Sequence, residues 1–251
     1  MYIHNFDPVL LKLGFFEIRY YGLVYLLGFF LCYIFLKKNK KELGLNDDDI
    51  SNLILYLAAG IIAGARIFHF IFSEPYTLIN DPLELFRIWN GGMSFFGSLT
   101  GVILSGYLFC KRKGTDLFKL ADVLVFPATI SLILGRVANF INGELVGTIT
   151  NVSWCVIFNN YQGCRHPYQI YAAFSHLILL FVLFFIYRLK EKRKLKNGIL
   201  FVSFIIFYSL FRILTDFLRE DLRFFGFTIW QYMGLLFLLL GLWFMKKKIF
   251  H

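Results

Sequence analysis

The amino-acid sequence predicts an all-α, polytopic membrane protein with seven transmembrane helices, its N-terminus outside and its C-terminus cytoplasmic. Three observations carry that expectation. Of 251 residues, 58% are hydrophobic and 20% aromatic, with phenylalanine alone contributing 32, and the mean hydropathy of +0.65 lies well above that of soluble domains. Apolar stretches of helical length recur along the chain, each suited to a hydrocarbon core about 30 Å thick. The basic residues behind the net charge of +10 gather in alternate connections, as the positive-inside rule requires, which argues against a nucleic-acid partner.

Span one, residues 20–36, opens at the outer boundary with Arg19, Tyr20 and Tyr21 and is followed by Lys37, Lys38, Lys40 and Lys41. Residues 1–19 lack the basic, apolar and small-residue segments of a removable signal peptide, so this span is expected to be the anchor. Span two covers residues 50–72. The outer connection after it, 73–90, holds Pro75, Pro82 and an amphipathic run from Leu83 to Trp89, which suits a helix lying at the interface with Trp89 as its belt residue. Span three, 92–110, starts on Gly91-Gly92-Met93-Ser94-Phe95-Phe96-Gly97 and is followed by Lys111, Arg112, Lys113 and Lys119. Glycines there let backbone approach a ligand or a neighbouring helix, and helix packing is the simpler explanation.

Span four covers 120–140. In the outer connection 142–167, Val152, Trp154, Val156 and Phe158 alternate ahead of Asn159-Asn160, the pattern of a short β-hairpin. Cys155 and Cys164 share this connection, where an oxidising compartment permits a bridge, whereas Cys32 and Cys110 fall inside spans. Span five is 168–187, followed by six basic residues between 188 and 196; span six is 198–218; span seven is 228–245, with Lys246 to Lys248 behind it. No repeat or low-complexity segment divides the chain, so residues 1–251 read as one integral membrane domain.

The polar residues inside these spans carry the functional signal. An arginine near the bilayer centre costs about 2.5–3.5 kcal/mol on insertion scales, and a chain that keeps one usually gives it an anion or a carboxylate to meet. Measured from the inner ends at about 1.5 Å per residue, Arg136 and Arg66 lie about 24 Å and Arg212 about 21 Å along their helices, with Asp216 and Arg219 beyond. All sit in the outer half of the bilayer, beside Tyr20 and Tyr21, and together they predict an anion site. Snorkelling to headgroups would account for any single arginine, and Arg212 with Asp216 forms an ordinary i, i+4 pair. Snorkelling does not account for the amides and carboxylate that accompany Arg136, namely Asn139, Asn142 and Glu144. His69 reads as a hydrogen-bonded core residue, and the segment from His166 to Tyr171 as a turn with an aromatic belt. No metal-ligand, Walker or serine-hydrolase motif is present, so neither a metal nor a cofactor is expected.

Tyr20-Tyr21-Gly22-Leu23, Gly91-Gly92-Met93-Ser94-Phe95, the block 135–147 (Gly-Arg-Val-Ala-Asn-Phe-Ile-Asn-Gly-Glu-Leu-Val-Gly), His166-Pro167-x-Gln169-x-Tyr171 and Tyr208-x-x-x-Arg212-x-x-x-Asp216-x-x-Arg219 resemble, in order and spacing, the bacterial phosphatidylglycerol:prolipoprotein diacylglyceryl transferases. The resemblance spans nearly the whole chain, and the block 135–147 is its most specific part. It implies a seven-span inner-membrane enzyme that moves the diacylglyceryl group of phosphatidylglycerol onto the lipobox cysteine thiol of a preprolipoprotein, releasing glycerol 1-phosphate. It also implies central roles for Arg136 and Arg212, and important ones for Tyr21, Asn139, Glu144 and Gly147. The chain departs from the family pattern at Phe96, where histidine is frequent, at Asp216, where glutamate is frequent, and at Ala172, where glutamate is frequent. A histidine base at position 96 is thereby excluded.

On this reading Arg136 and Arg212 take the phosphate, Asn139 and Asn142 orient the glycerol headgroup, and Glu144 or Asp216 holds an arginine. Gly147, Arg66, Arg219, His166 and Gly92 complete the candidate substrate-binding set. Asp216, Glu144, Tyr21 and His69 remain the candidate thiol bases. The expected partners are phosphatidylglycerol, lipobox segments and membrane lipid. Two competing readings are a catalytically silent phospholipid-binding homologue and a secondary transporter or flippase of an anionic solute, which would ordinarily show inverted repeats.

Overall fold

The computed structural model describes residues 2–13, 16–72, 74–88 and 91–250, apart from the side chains of residues 13, 16, 95, 96 and 248–250. Trp89 and the Phe96 side chain lie outside the described residues. The helices are α1 (Tyr20–Lys38), α2 (Lys40–Leu43), α3 (Asp47–Phe72), α4 (Pro75–Asn80), α5 (Phe95–Lys113), α6 (Leu117–Ile141), α7 (Tyr168–Arg193), α8 (Ile199–Thr215) and α9 (Ile229–Phe250). Among the described residues, 6 helices are long and apolar enough to cross a membrane: α1, α3, α6, α7, α8 with the 3₁₀ turn that extends it, and α9. The helix α5 is 19 residues long, but Gly97, Ser98, Thr100, Gly101, Ser105 and Gly106 dilute its apolar character.

The chain forms two compact units, Met1–Cys32 with Ala121–His251, and Tyr33–Leu120. In the second unit, α3 packs along α5 through glycines. A Cβ at Gly101 would fall on the Gly60 carbonyl, and one at Gly97 on the Gly64 carbonyl, so this crossing tolerates nothing larger than hydrogen. At the far end, Lys113 forms an ion pair with Asp49 and Arg112 Nη1 donates to the Tyr56 hydroxyl at 3.1 Å.

Two expectations for this unit are corrected. The third helix begins at Phe95, because Gly91 and Gly92 stand ahead of it at φ of 85° and 73°, outside the right-handed helical range, and Ser94 caps the helix by accepting from the Gly97 amide at 3.3 Å. The described part of the run, 83–88, forms no α-helix. Pro82 starts a 3₁₀ turn, Pro82–Phe86, and the Asp81 carboxylate accepts from the Leu83 amide at 3.2 Å. Arg87 follows, held more firmly protonated by the Glu84 and Asp81 carboxylates beside it.

In the first unit, α7 and α8 enclose an apolar cluster of Val125, Leu179, Leu183, Ile199 and Leu200. At one end the buried Asp122 carboxylate accepts from Lys190 Nζ at 2.9 Å and from the Gly198 and Phe201 amides at 2.8 and 2.9 Å. The last two are donors that the start of α8 cannot satisfy within the helix.

The other end carries a small β platform from three separate chain segments. The strands are β1 (Tyr2–Ile3), β2 (Val9–Leu13), β3 (Phe16–Arg19), β4 (Val156–Ile157), β5 (Cys164–Arg165), β6 (Arg223–Phe224) and β7 (Phe227–Thr228). The hairpin expected in the 142–167 connection is β4 with β5, antiparallel with Val156 opposite Arg165, and β1 joins β4 in parallel. The β2–β3 hairpin was not legible in the sequence, since Val9-Leu10-Leu11-Lys12-Leu13 lacks clean alternation.

Cys155 and Cys164 are bridged across a separation of 9 residues. Replacing both with serine is expected to lower stability by about 2–3 kcal/mol, the worth of closing a loop of roughly ten residues. A drop in the thermal midpoint of the detergent-solubilised double variant, matched by the intact protein under reductant, checks this.

Candidate active site

The helix α6 ends where the site begins. Gly143 takes a left-handed φ of 66°, its amide bonds to the Phe140 carbonyl at 3.0 Å, and the next amide, that of Glu144, bonds to the Asn139 carbonyl at 3.1 Å. This is a glycine-terminated helix end, and it turns the Glu144 side chain back toward the last turn. There Glu144 Oε1 accepts from Asn139 Nδ2 at 2.7 Å and from Asn142 Nδ2 at 3.3 Å. Asn139 Oδ1 faces Arg136 Nη1 at 3.5 Å. Four of the residues singled out in the sequence therefore form one continuous polar chain.

A second chain is built on α8. The Asp216 carboxylate, 0% exposed, accepts from the Tyr168 hydroxyl at 2.5 Å and lies 3.2 Å from Arg212 Nε. Thr228 Oγ1 is 3.5 Å from its second oxygen. Thr228 is itself fixed as the cap of α9, because it accepts from the Gln231 amide at 3.2 Å while Gln231 Oε1 accepts from the Thr228 amide at 2.9 Å, a reciprocal capping box.

Tyr168, at the first position of α7, joins the two chains. Arg212 Nη1 donates to its hydroxyl at 3.2 Å, and its ring lies 6.0 Å from the Arg136 guanidinium carbon and 5.9 Å from that of Arg219. The Trp230 ring faces Arg212 at 5.5 Å and Arg219 at 5.8 Å. Three guanidinium groups from three segments thus share two aromatic faces, the arrangement in which cations stack on rings while keeping their N–H donors free.

Tyr168 and Trp230 were missed in the sequence. An aromatic residue at a helix start has the same local signature whether it faces lipid headgroups or a buried arginine.

Other expected residues fall nearby. Gly147 lies between His166 and Leu218: its amide bonds to the His166 carbonyl at 3.1 Å, its carbonyl accepts from Arg165 Nη1 at 3.1 Å, and it bridges to Arg219. A Cβ there would lie 2.5 Å from the His166 carbonyl oxygen and 2.8 Å from that of Leu218. Since these two obstacles are backbone and the His166 Cβ at 2.7 Å is a third, Gly147→Ala is expected to destabilise the platform by about 1–3 kcal/mol through overpacking, measurable as a lower unfolding midpoint.

His166 Nδ1 pairs with the Tyr171 hydroxyl at 3.2 Å, which in turn accepts from Trp154 Nε1 at 2.7 Å. Gln169 Nε2 donates to the Glu144 carbonyl at 2.5 Å. Tyr21 has Tyr25 as its hydroxyl partner at 3.4 Å, and Tyr25 lies within electrostatic reach of Glu144.

Arg66 and Gly92 lie in the other unit and are joined to each other. The Arg66 guanidinium donates to the carbonyls of Glu84 and Gly91, and to those of Leu85, Arg87 and Gly92 at 3.0, 3.2 and 3.3 Å. Its donors meet main-chain carbonyls of residues 84, 85 and 87 and of Gly91 and Gly92. A Cβ at Gly92 would lie 2.7 Å from the His69 ring, and His69 Nε2 is 3.4 Å from Glu74 Oε1.

The model of the prolipoprotein diacylglyceryl transferase family matches residues 8–246 of this chain. The chain belongs to that family. Similar relatives include a protein of Geobacter sulfurreducens named phosphatidylglycerol--prolipoprotein diacylglyceryl transferase, 41% identical over 223 residues that cover 88% of this chain and 85% of the relative. Proteins with the same name from Ehrlichia ruminantium (37% over 218 residues, 86% and 84% covered) and Legionella pneumophila (34% over 248 residues, 95% and 96%) are also similar. The family's match runs across both polar chains and the segment that bears Tyr168.

Proposed function

We propose that this protein transfers the diacylglyceryl group of phosphatidylglycerol to the lipobox cysteine of preprolipoproteins. The observation that carries the reading is the convergence of Arg136, Arg212 and Arg219 on Tyr168, at the platform end of helices apolar enough to cross a membrane. Among the described residues, Asn142 Oδ1, Gln169 Oε1 and Arg219 Nε are buried around it without hydrogen-bond partners. Buried polar atoms rarely stay unpaired, and a phosphoglycerol headgroup offers both donors and acceptors to them.

In this reading α5 is the seventh span. The N-terminus and the platform face outward, the basic connections face the cytoplasm, and the protein resides in the bacterial inner membrane.

The reaction proceeds by attack of the substrate thiol on the glyceryl carbon that bears the phosphate ester. Negative charge then gathers on the departing glycerol phosphate, where preorganised guanidinium donors in a water-poor site stabilise it most. Arg136 and Arg212 serve that oxygen cluster. Asp216 holds Arg212, the Glu144–Asn139 pair holds Arg136, and Asn142 orients the glycerol hydroxyls. Tyr21 and His166 border the headgroup, Gly147 allows the chain at His166 and Leu218 to close beside it, and Arg66 with Gly92 shapes the outer loop.

Incubating the purified protein with labelled phosphatidylglycerol and a lipobox peptide is expected to yield a thioether-linked peptide and glycerol 1-phosphate. A Cys→Ser peptide is expected to yield neither. Transfer to the serine peptide, or headgroup release without peptide labelling, would reject the thiol-transfer reading.

A further inference from the structure

The groups considered as thiol bases in the sequence are all committed elsewhere. Asp216 accepts from Tyr168, Arg212 and Thr228, Glu144 accepts from two amides, and the Tyr21 hydroxyl is paired with Tyr25. The histidines tell the same story, with one exception. His4 Nε2 meets the Phe140 carbonyl at 2.6 Å, His69 meets Glu74 and His166 meets Tyr171.

His176 alone among the described histidines keeps a buried ring nitrogen, Nδ1, with no hydrogen-bond partner. It is 4% exposed and lies on the buried face of α7 with Tyr168, Gln169, Ala172 and Ala173. Its ring stacks on Tyr208 at 5.5 Å and 11°, and Tyr208 is one helical turn before Arg212. Arg136 and Arg212 are the charged groups within electrostatic reach of it.

On the basis of the transferase reading, we infer that His176 is the proton acceptor for the substrate thiol. Its unpaired Nδ1 takes the proton from sulfur. The thiolate then forms the new carbon–sulfur bond at the glyceryl carbon, and the carbon–oxygen bond to phosphate breaks with its electron pair leaving on glycerol 1-phosphate. Imidazolium afterwards returns its proton to water. The headgroup phosphate, seated on Arg136 and Arg212, supplies the negative charge beside the nascent imidazolium that a carboxylate supplies to other histidine bases. Stacking on Tyr208 fixes the ring plane. Proton transfer is thereby confined to the lipid-loaded protein.

The test uses the full chain in nanodiscs containing phosphatidylglycerol, with a lipobox peptide as acceptor. His176→Ala is expected to lower the transfer rate by about 10²- to 10⁴-fold, the usual worth of a positioned proton acceptor, and added imidazole is expected to restore part of it. A variant that transfers like the intact protein overturns the assignment. So does a loss that imidazole leaves untouched in a variant that melts with the intact protein, since that pattern belongs to packing. If His176→Ala fails to fold, the larger His176→Gln replaces it. Native melting with transfer lost then supports the role, and native melting with transfer kept overturns it. An intact protein that labels no peptide rejects the transferase reading itself, and this inference with it.

Discussion

Arg136→Lys is expected to reduce diacylglyceryl transfer by about 10²- to 10³-fold, the range seen when one preorganised donor to a developing negative charge is removed. The melting midpoint is expected to stay that of the intact protein. Both expectations come from how little holds this guanidinium. Among the described residues its hydrogen bond is a single long one, 3.5 Å to Asn139 Oδ1, with the Tyr168 ring behind it. Arg66 shows the contrary case, with carbonyls around every side of its fork. An arginine whose donors are unclaimed is available to two phosphate oxygens at once, which the point charge of lysine cannot reproduce. Transfer rates and a melting curve on the same purified variant check this; near-normal transfer by Arg136→Lys would remove the residue from the phosphate site.

Asp216→Ala is expected to be worse than a loss of rate. The carboxylate is fully buried and binds a phenol, a guanidinium and a hydroxyl. Removing it leaves Arg212 buried without its counter-charge, a change that costs about 3–5 kcal/mol where one partner of a buried pair is deleted. The expected readouts are a large drop in thermal midpoint and no measurable transfer. Asp216→Glu, which keeps the carboxylate, is expected to recover a substantial part of both. If Asp216→Ala melts normally, the carboxylate is not what holds Arg212.

Much of this was legible beforehand, and the reasons it was differ from residue to residue. The end of α3 at Phe72 and the start of α7 at Tyr168 followed from apolar length, because a bilayer imposes one scale on every spanning helix, whereas α7 runs on past the expected 187 to Arg193 on charged residues. The linkage of Arg136, Asn139, Asn142 and Glu144 followed from spacings of two to five residues at a helix end, which local geometry nearly fixes. Tyr168 and His176 were not legible as members of the site, since their neighbours, Asp216 and Tyr208, are 48 and 32 positions away in sequence. The main-chain partners of Arg66 were hidden for the same reason. Its depth resembled that of Arg136, and only the return of the chain 18 to 26 residues later separates a loop anchor from a candidate ligand. The glycines that open α5 were open to two explanations, and the close carbonyl approaches select packing for Gly97 and Gly101.

The platform also sets a timetable for biogenesis. Its first strand, β1, comprises Tyr2 and Ile3, yet its partner is β4 at Val156 and Ile157, and the bridge from Gly147 must await Arg219. A nascent chain can insert its early helices one after another while this end stays unassembled, because pairing across so great a separation cannot begin until the later segments exist. A ribosome stalled before residue 219 would therefore hold an inserted but incomplete enzyme, unable to consume lipid during its own synthesis.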